Sequence, residues 1–208
     1  MADRNEFLEN VRRAAALGRA HRVTLNPAAT HTQSYVGAGA DPVATLLAEW
    51  QAVGGQGSRV SGDAAARDYI SRFIAEHRCT RVLRWAHPLL ERLNLDAVCG
   101  AAAAVVLGWN DLARQESQDR WPSAFSADLG ITSVDWAVAE TGSLALCARP
   151  DQGRVVSLLP PRYLAIVEPS QIVPDLFDLF ERLEQIKTDL PSNIVLVTGP
   201  SKTGDIEL

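Results

Sequence analysis

Two different spacings of apolar residues divide the chain near residue 55. Apolar residues recur at intervals of three and four over residues 5–19, which predicts an amphipathic helix. Asp41-Pro42 predicts the N-cap and first turn of a second helix, which ends before Gly54-Gly55. The segment between these helices is polar and irregular. We therefore predict an N-terminal helical extension over residues 1–55.

From residue 56 onward, short apolar runs alternate with helical patterns. Helices are predicted over residues 63–77, at "PLLERL" and over residues 173–187. The predicted strands are "SRVSG", "TRVLRW", "AAVVLGW", "VDWAVA", "SLALCA", "VVSLL", "YLAIV" and "NIVLVT". Such alternation indicates an α/β fold with a mixed, mostly parallel sheet flanked by helices. We predict one structural domain overall, with its α/β core over residues 56–208.

The last predicted helix has a clear apolar stripe. Leu176, Phe177, Phe180 and Leu183 recur at helical spacing, so we expect all four to face inward.

Charge and cysteine content exclude several classes of partner and site. The net charge is −5 and the pI is about 5.4, which argues against nucleic acid or an anionic membrane as the main partner. The longest apolar run, residues 97–109, is shorter than the roughly 20 residues of a bilayer-spanning helix. Cys79, Cys99 and Cys147 lie far apart, which fits buried free thiols better than a disulfide, zinc or iron–sulfur site. We therefore expect a cytoplasmic protein with no membrane span, no metal site and no cofactor of its own.

The C-terminal "TGPSKTGDIEL" contains a Lys-Thr pair among glycines, but it is not a Walker-type loop. Leu196 stands where the first glycine of that motif belongs, and no helix follows. The turn could still bind a small carboxylate or phosphate, because exposed N–H groups and hydroxyls concentrate positive potential. Its candidate ligand-binding residues are Gly199, Ser201, Lys202, Thr203, Asp205 and Glu207. A solvated turn is the alternative interpretation.

A second candidate is the tip of a predicted β-hairpin, "AETGS", between two alternating strands. Glu140 is placed there to act as a nucleophile or base, with Thr141, Gly142 and Ser143 supplying backbone and hydroxyl groups. A solvated turn is again the alternative.

Four ordered blocks resemble the lactate-utilisation protein C family, also described as the LUD domain. They are "GITSVDWAVAETGSLAL", "GRVVSLLPPRYLAIV", "SQIVPDL" and "TGPSKTGDIEL". This resemblance implies a fold like that of the sugar-phosphate isomerase and CoA-transferase superfamily. It also implies a role in oxidising L-lactate to pyruvate together with partner subunits that carry iron–sulfur clusters. Members of the family usually continue past "DIEL", so this sequence could be truncated there.

In CoA-transferases of similar fold, the glutamate that attacks the acyl-CoA stands two residues before a glycine. Glu140 and Gly142 have that spacing, so Glu140 is the candidate nucleophile by analogy. We expect the hairpin tip and the terminal turn to face one cleft for a small carboxylate or phosphate. Three functions stay open: an accessory or binding subunit of a lactate-oxidising complex, an independent CoA- or acyl-transferase using Glu140, and a small-anion-sensing regulatory module.

Overall fold

The computed structural model describes residues 4–20 and 37–200. These residues divide between two compact units, Met1–Tyr35 and Val36–Leu208. Helix α1 (Arg4–Ala20) belongs to the first unit, and every other described element belongs to the second.

The second unit contains eight further described helices and eight described strands. The helices are α2 (Pro42–Ala52), α3 (Gly62–Glu76), α4 (Pro88–Arg92), α5 (Leu95–Ala101), α6 (Trp109–Arg114), α7 (Ser117–Phe125), α8 (Val155–Leu158) and α9 (Leu176–Gln185). The strands are β1 (Arg81–Arg84), β2 (Val105–Gly108), β3 (Leu129–Thr132), β4 (Trp136–Val138), β5 (Ser143–Cys147), β6 (Arg162–Ala165), β7 (Ile172–Val173) and β8 (Ile194–Val197). Short 3₁₀ turns cover Pro169–Gln171 and Lys187–Asp189. The predicted α/β fold class is confirmed.

The described strands form two sheets. The first sheet is parallel throughout, in the order β2-β1-β3-β6. The second has the order β7-β4-β5-β8, in which β4 pairs parallel with β7 while β5 is antiparallel to both β4 and β8. The sequence suggested a single mixed, mostly parallel sheet, whereas the structure has two sheets, one wholly parallel and one mixed.

The core lies in and around both sheets. All four residues of β3 are buried, as expected for a parallel strand covered on both faces. Helix α2 begins as predicted, because the Asp41 carboxylate accepts from the N–H groups of Val43 and Ala44 and Pro42 occupies the first turn. Its Leu46 belongs to the same core cluster as the strands. The predicted division at residue 55 therefore separates α2 from strands with which it packs.

Several local predictions were wrong. "SRVSG" forms no strand, and "VVSLL" forms helix α8 instead, because Val155, Val156 and Leu159 reach the core at helical spacing. In α9, Leu179 is the fully buried residue, whereas Phe177 is 80% exposed and Phe180 is 59% exposed. Helices α5, α6 and α7 and strands β3 and β7 were not predicted.

In the described part of the chain, every helix falls short of the length and apolarity needed to cross a bilayer. Cys79, Cys99 and Cys147 are free and buried, as predicted. Burial raises the pKa of Cys99 to about 12 and, with the charge of Asp135, that of Cys147 to about 11, so both thiols are protonated at neutral pH.

Candidate functional site

The predicted hairpin tip lies beside the end of β8. The Thr141 hydroxyl donates to Ser143 Oγ at 2.8 Å, and Ser143 Oγ lies 2.7 Å from Thr198 Oγ1. The structure thus brings the hairpin to the beginning of the terminal turn. Of the residues predicted in that turn, Gly199 is described, while Ser201, Lys202, Thr203, Asp205 and Glu207 lie outside the described residues.

Helix α2 packs against both glycine turns. A Cβ atom on Gly142 would lie 2.6 Å from the backbone N of Trp50, and one on Gly199 would lie 2.6 Å from Val53 Cγ2. Both glycines also have a positive φ, 65° at Gly142 and 76° at Gly199. Close packing and left-handed backbone therefore require glycine at both positions, whether or not an anion binds there.

Glu140 is half-buried where β4 ends. Its backbone N–H donates to the carbonyl of Pro174 at 3.1 Å, which places it beside the start of α9. The buried Asp175 caps that helix by accepting from the N–H groups of Phe177 and Asp178.

A second place for a ligand follows from the order of the parallel strands. The chain passes from β1 to β2 on one side and then crosses to β3 on the other side of β1. The carboxyl ends of β1 and β3 are thus a topological switch point, where open α/β sheets commonly bind ligands. His87 follows β1 by three residues. Ser133 directly follows β3, and Asp135 lies three residues beyond the end of β3.

These side chains, together with Arg149, form what we call the switch-point cluster: His87, Ser133, Asp135 and Arg149. Asp135 Oδ1 accepts from Arg149 Nη1 at 2.6 Å, and Asp135 Oδ2 accepts from the backbone N–H of Cys147 at 2.7 Å. The same Arg149 nitrogen donates to Gln152 Oε1 at 2.7 Å. The pKa of Arg149 is raised: burial would lower it, but the hydrogen bond and charge of Asp135 outweigh that effect. Arg149 is therefore a fixed, permanently charged group.

His87 is held as a neutral donor. Its Nδ1 accepts from the backbone N–H of Leu89 at 3.2 Å and thereby caps α4, so the proton of the neutral ring lies on Nε2. Burial lowers its pKa, and the charge of Arg149 lowers it further. The carboxylates of Asp135, Glu168 and Asp151 act in the opposite direction. At neutral pH, His87 can therefore donate a hydrogen bond from Nε2 to a ligand oxygen.

Gln171 holds the segment that carries Ser133. Gln171 Nε2 donates to the buried Ser133 Oγ at 3.1 Å and also to the carbonyl of Val134. Gln171 Oε1 accepts from the backbone N–H of Glu168 at 2.7 Å. The Glu168 carboxylate in turn binds Arg92 at 2.8 Å. These contacts tie the segments that follow β3 and β6 to each other.

The switch-point cluster and the predicted hairpin tip are separate places. Asp135 directly precedes β4 and Glu140 follows it, so the three residues of β4, about 10 Å of extended chain, and Ala139 lie between them. Arg149 is close enough for its charge to act on His87. An arginine near a neutral imidazole donor can bind the carboxylate and neighbouring oxygen of a small organic acid. Within residues 4–20 and 37–200, no group of three or more His, Cys, Asp or Glu residues is arranged to hold a metal ion.

The switch-point cluster was not predicted from the sequence. His87, Ser133 and Asp135 could have been found, since each follows a buried parallel strand and carboxyl ends of such strands share one edge. Arg149 follows the antiparallel strand β5 and gives no such signal.

Comparison with known proteins places the chain in a family. The sequence profile of the LUD domain matches residues 43–208. The chain belongs to the LUD domain family. Among curated relatives of this LUD domain is lactate utilization protein C of Halalkalibacterium halodurans, 31% identical over 67% of this chain and 60% of the relative. The protein of the same name from Anoxybacillus flavithermus is 36% identical over 71% of this chain and 64% of the relative. The protein of that name from Bacillus licheniformis is 40% identical over 48% of this chain and 42% of the relative.

This LUD domain spans between 42% and 64% of the length of those three relatives. A crystal structure of a DUF162 family protein from Deinococcus radiodurans matches 67% of this chain and 90% of its own, with 20% identity and a TM-score of 0.33.

Proposed function

We propose that this LUD domain acts in lactate utilisation as a cytoplasmic binding subunit for a small 2-hydroxy or 2-oxo acid. The switch-point cluster carries the proposal, because Asp135 fixes a permanently charged Arg149 near a neutral His87 where parallel strands β1 and β3 end. The names of the relatives support lactate or pyruvate as the acid.

In this proposal Arg149 binds the carboxylate of the acid, and the His87 Nε2–H donates to its hydroxyl or keto oxygen. Oxidation of L-lactate to pyruvate releases two electrons and two protons. The residues of this chain position the acid and neutralise its charge. Iron–sulfur clusters on partner subunits would accept the two electrons, and water would accept the two protons.

The experiment that tests this role is a gene deletion complemented with tagged protein. The proposal expects loss of growth on L-lactate as sole carbon source, unchanged growth on glucose, and restoration by the wild-type gene. Affinity capture from lactate-grown cells is expected to recover iron–sulfur proteins. Normal growth of the deletion strain on lactate would refute the role, and capture without any iron–sulfur protein would refute the partners.

A second candidate function is acyl or CoA transfer by Glu140. It is favoured by the half-buried position of that residue at a strand end, two residues before the tightly packed Gly142. A Glu140→Gln variant separates the two candidates, because covalent catalysis requires the carboxylate and acid binding at the switch-point cluster does not.

A further inference from the structure

A cavity of about 240 Å³ lies between α2, α3 and the edge strand β6. All of its lining residues belong to the second compact unit, and neither the switch-point cluster nor residues 140–142 are among them. The cavity is therefore distinct from both places described above.

Its walls are mainly apolar and aromatic. Helix α2 contributes Leu46, Leu47 and Trp50, while Tyr69 comes from α3 and Tyr163 from β6. The Tyr163 hydroxyl is bound at 2.7 Å to Thr132 Oγ1, which leaves its ring as part of the apolar wall. Such a lining excludes a small polar acid like lactate and favours an apolar ligand body.

Among the described residues that line the cavity, one has a charged side chain, Arg59. Arg59 Nη1 is held 3.0 Å from Asp41 Oδ2, and Asp41 is itself fixed as the N-cap of α2. The Arg59 side chain is 63% exposed, which places it at the mouth of the cavity. A ligand with a charged end would thus present an anion to it.

Volume limits the size of the ligand. Pockets for drug-sized molecules measure about 300–1,000 Å³, and this cavity is smaller. We propose that the cavity binds a short aliphatic monocarboxylic acid, with its tail between α2 and β6 and its carboxylate at Arg59. This site is independent of the proposed function in lactate utilisation.

The test is calorimetric titration of the full chain with sodium octanoate below its micelle concentration. The wild type is expected to bind one octanoate per chain. Arg59→Gln is expected to bind it about fivefold to tenfold more weakly, through loss of a charged hydrogen-bonding partner. Arg72→Gln is the matched control, because Arg72 is an exposed arginine on α3 that pairs with Asp68 and does not line the cavity.

Two further measurements distinguish the contribution of the ligand's aliphatic tail to binding from that of its carboxylate. Ala66→Phe fills the cavity from α3 and is expected to abolish binding, whereas Ala75→Phe on the exposed side of the same helix leaves it unchanged. Uncharged 1-octanol is expected to bind the wild type and Arg59→Gln equally.

No octanoate binding by the wild type, or equal octanoate affinity in Arg59→Gln, would overturn the proposal. Full binding by a folded Ala66→Phe would do the same. If that variant does not fold, the comparison of octanoate with octanol on Arg59→Gln decides.

Discussion

The Asp135 carboxylate pairs with Arg149 and also accepts a hydrogen bond from the backbone of β5. One oxygen lies 2.6 Å from Arg149 Nη1, and the other lies 2.7 Å from the backbone nitrogen of Cys147. The Asp135 side chain is only 12% exposed, so this carboxylate depends on both partners for its stabilisation. The charge that we propose binds the acid is thus positioned by the fold itself.

The first prediction concerns this pair. Asp135→Asn is expected to lower the free energy of unfolding by about 2 kcal/mol, because it removes a charge-assisted bond and leaves Arg149 without its counter-charge. Urea denaturation measures the change. Asp111→Asn is the control, since the Arg114–Asp111 pair spans 3.4 Å with both side chains 78% exposed. That variant is expected to stay within about 0.5 kcal/mol of the wild type. Equal effects of the two variants would show that Asp135 has no special structural role.

The second prediction is a pH dependence from His87. Folding lowers the pKa of His87 from its ordinary value of 6.5, so the unfolded chain takes up the proton first as the pH falls. The contribution of His87 to stability is therefore complete above pH 6.5 and is lost as the pH falls toward the lower pKa of the folded ring. Urea midpoints between pH 7.5 and 5 measure it.

His87→Asn is the matched variant, because asparagine also caps helices but does not titrate. It is expected to show a weaker fall in stability over the same pH range. A wild type and variant with parallel pH profiles would contradict the lowered pKa, as would an NMR titration that places the His87 pKa above 6.5.

The third prediction separates backbone strain from packing at the hairpin tip. Gly142→Ala is expected to destabilise the protein by about 1–2 kcal/mol more than Gly62→Ala, although both residues have a positive φ. A Cβ on Gly142 would lie 2.6 Å from the Trp50 nitrogen, whereas a Cβ on Gly62 would have no atom within 4 Å. Thermal or urea denaturation of both variants gives the comparison. Equal destabilisation would mean that α2 does not pack tightly on the tip.

The fourth prediction concerns the two candidate functions. Cells that carry Glu140→Gln are expected to grow on L-lactate as the wild type does, while cells that carry Arg149→Gln are expected to fail. Immunoblots of both strains control for the amount of protein. The reverse result, loss of growth with Glu140→Gln and growth with Arg149→Gln, would favour acyl or CoA transfer over acid binding.

Local signals in the sequence were sufficient for much of the fold. The start of α2 follows from Asp41-Pro42, whose capping bonds are local, and strands such as β1, β5 and β8 follow from short β-branched or apolar runs. The hairpin at residues 140–142 was likewise visible, because it joins two alternating strands.

Features that depend on contacts distant along the chain could not be predicted in this way. Leu179 rather than Phe177 is buried in α9 because it packs on Val138, Ala145 and Val173 of the second sheet. The switch-point cluster depends on strand order, which periodicity does not contain, and on Arg149, which approaches Asp135 across a hairpin.

Binding of a small acid by Arg149 is tested most directly by isothermal titration calorimetry of the purified chain with pyruvate and with L-lactate. We expect saturable binding of one acid per chain, about tenfold weaker in Arg149→Gln and unchanged in Arg114→Gln. Equal affinity in the wild type and Arg149→Gln, or no binding by the wild type, would contradict it.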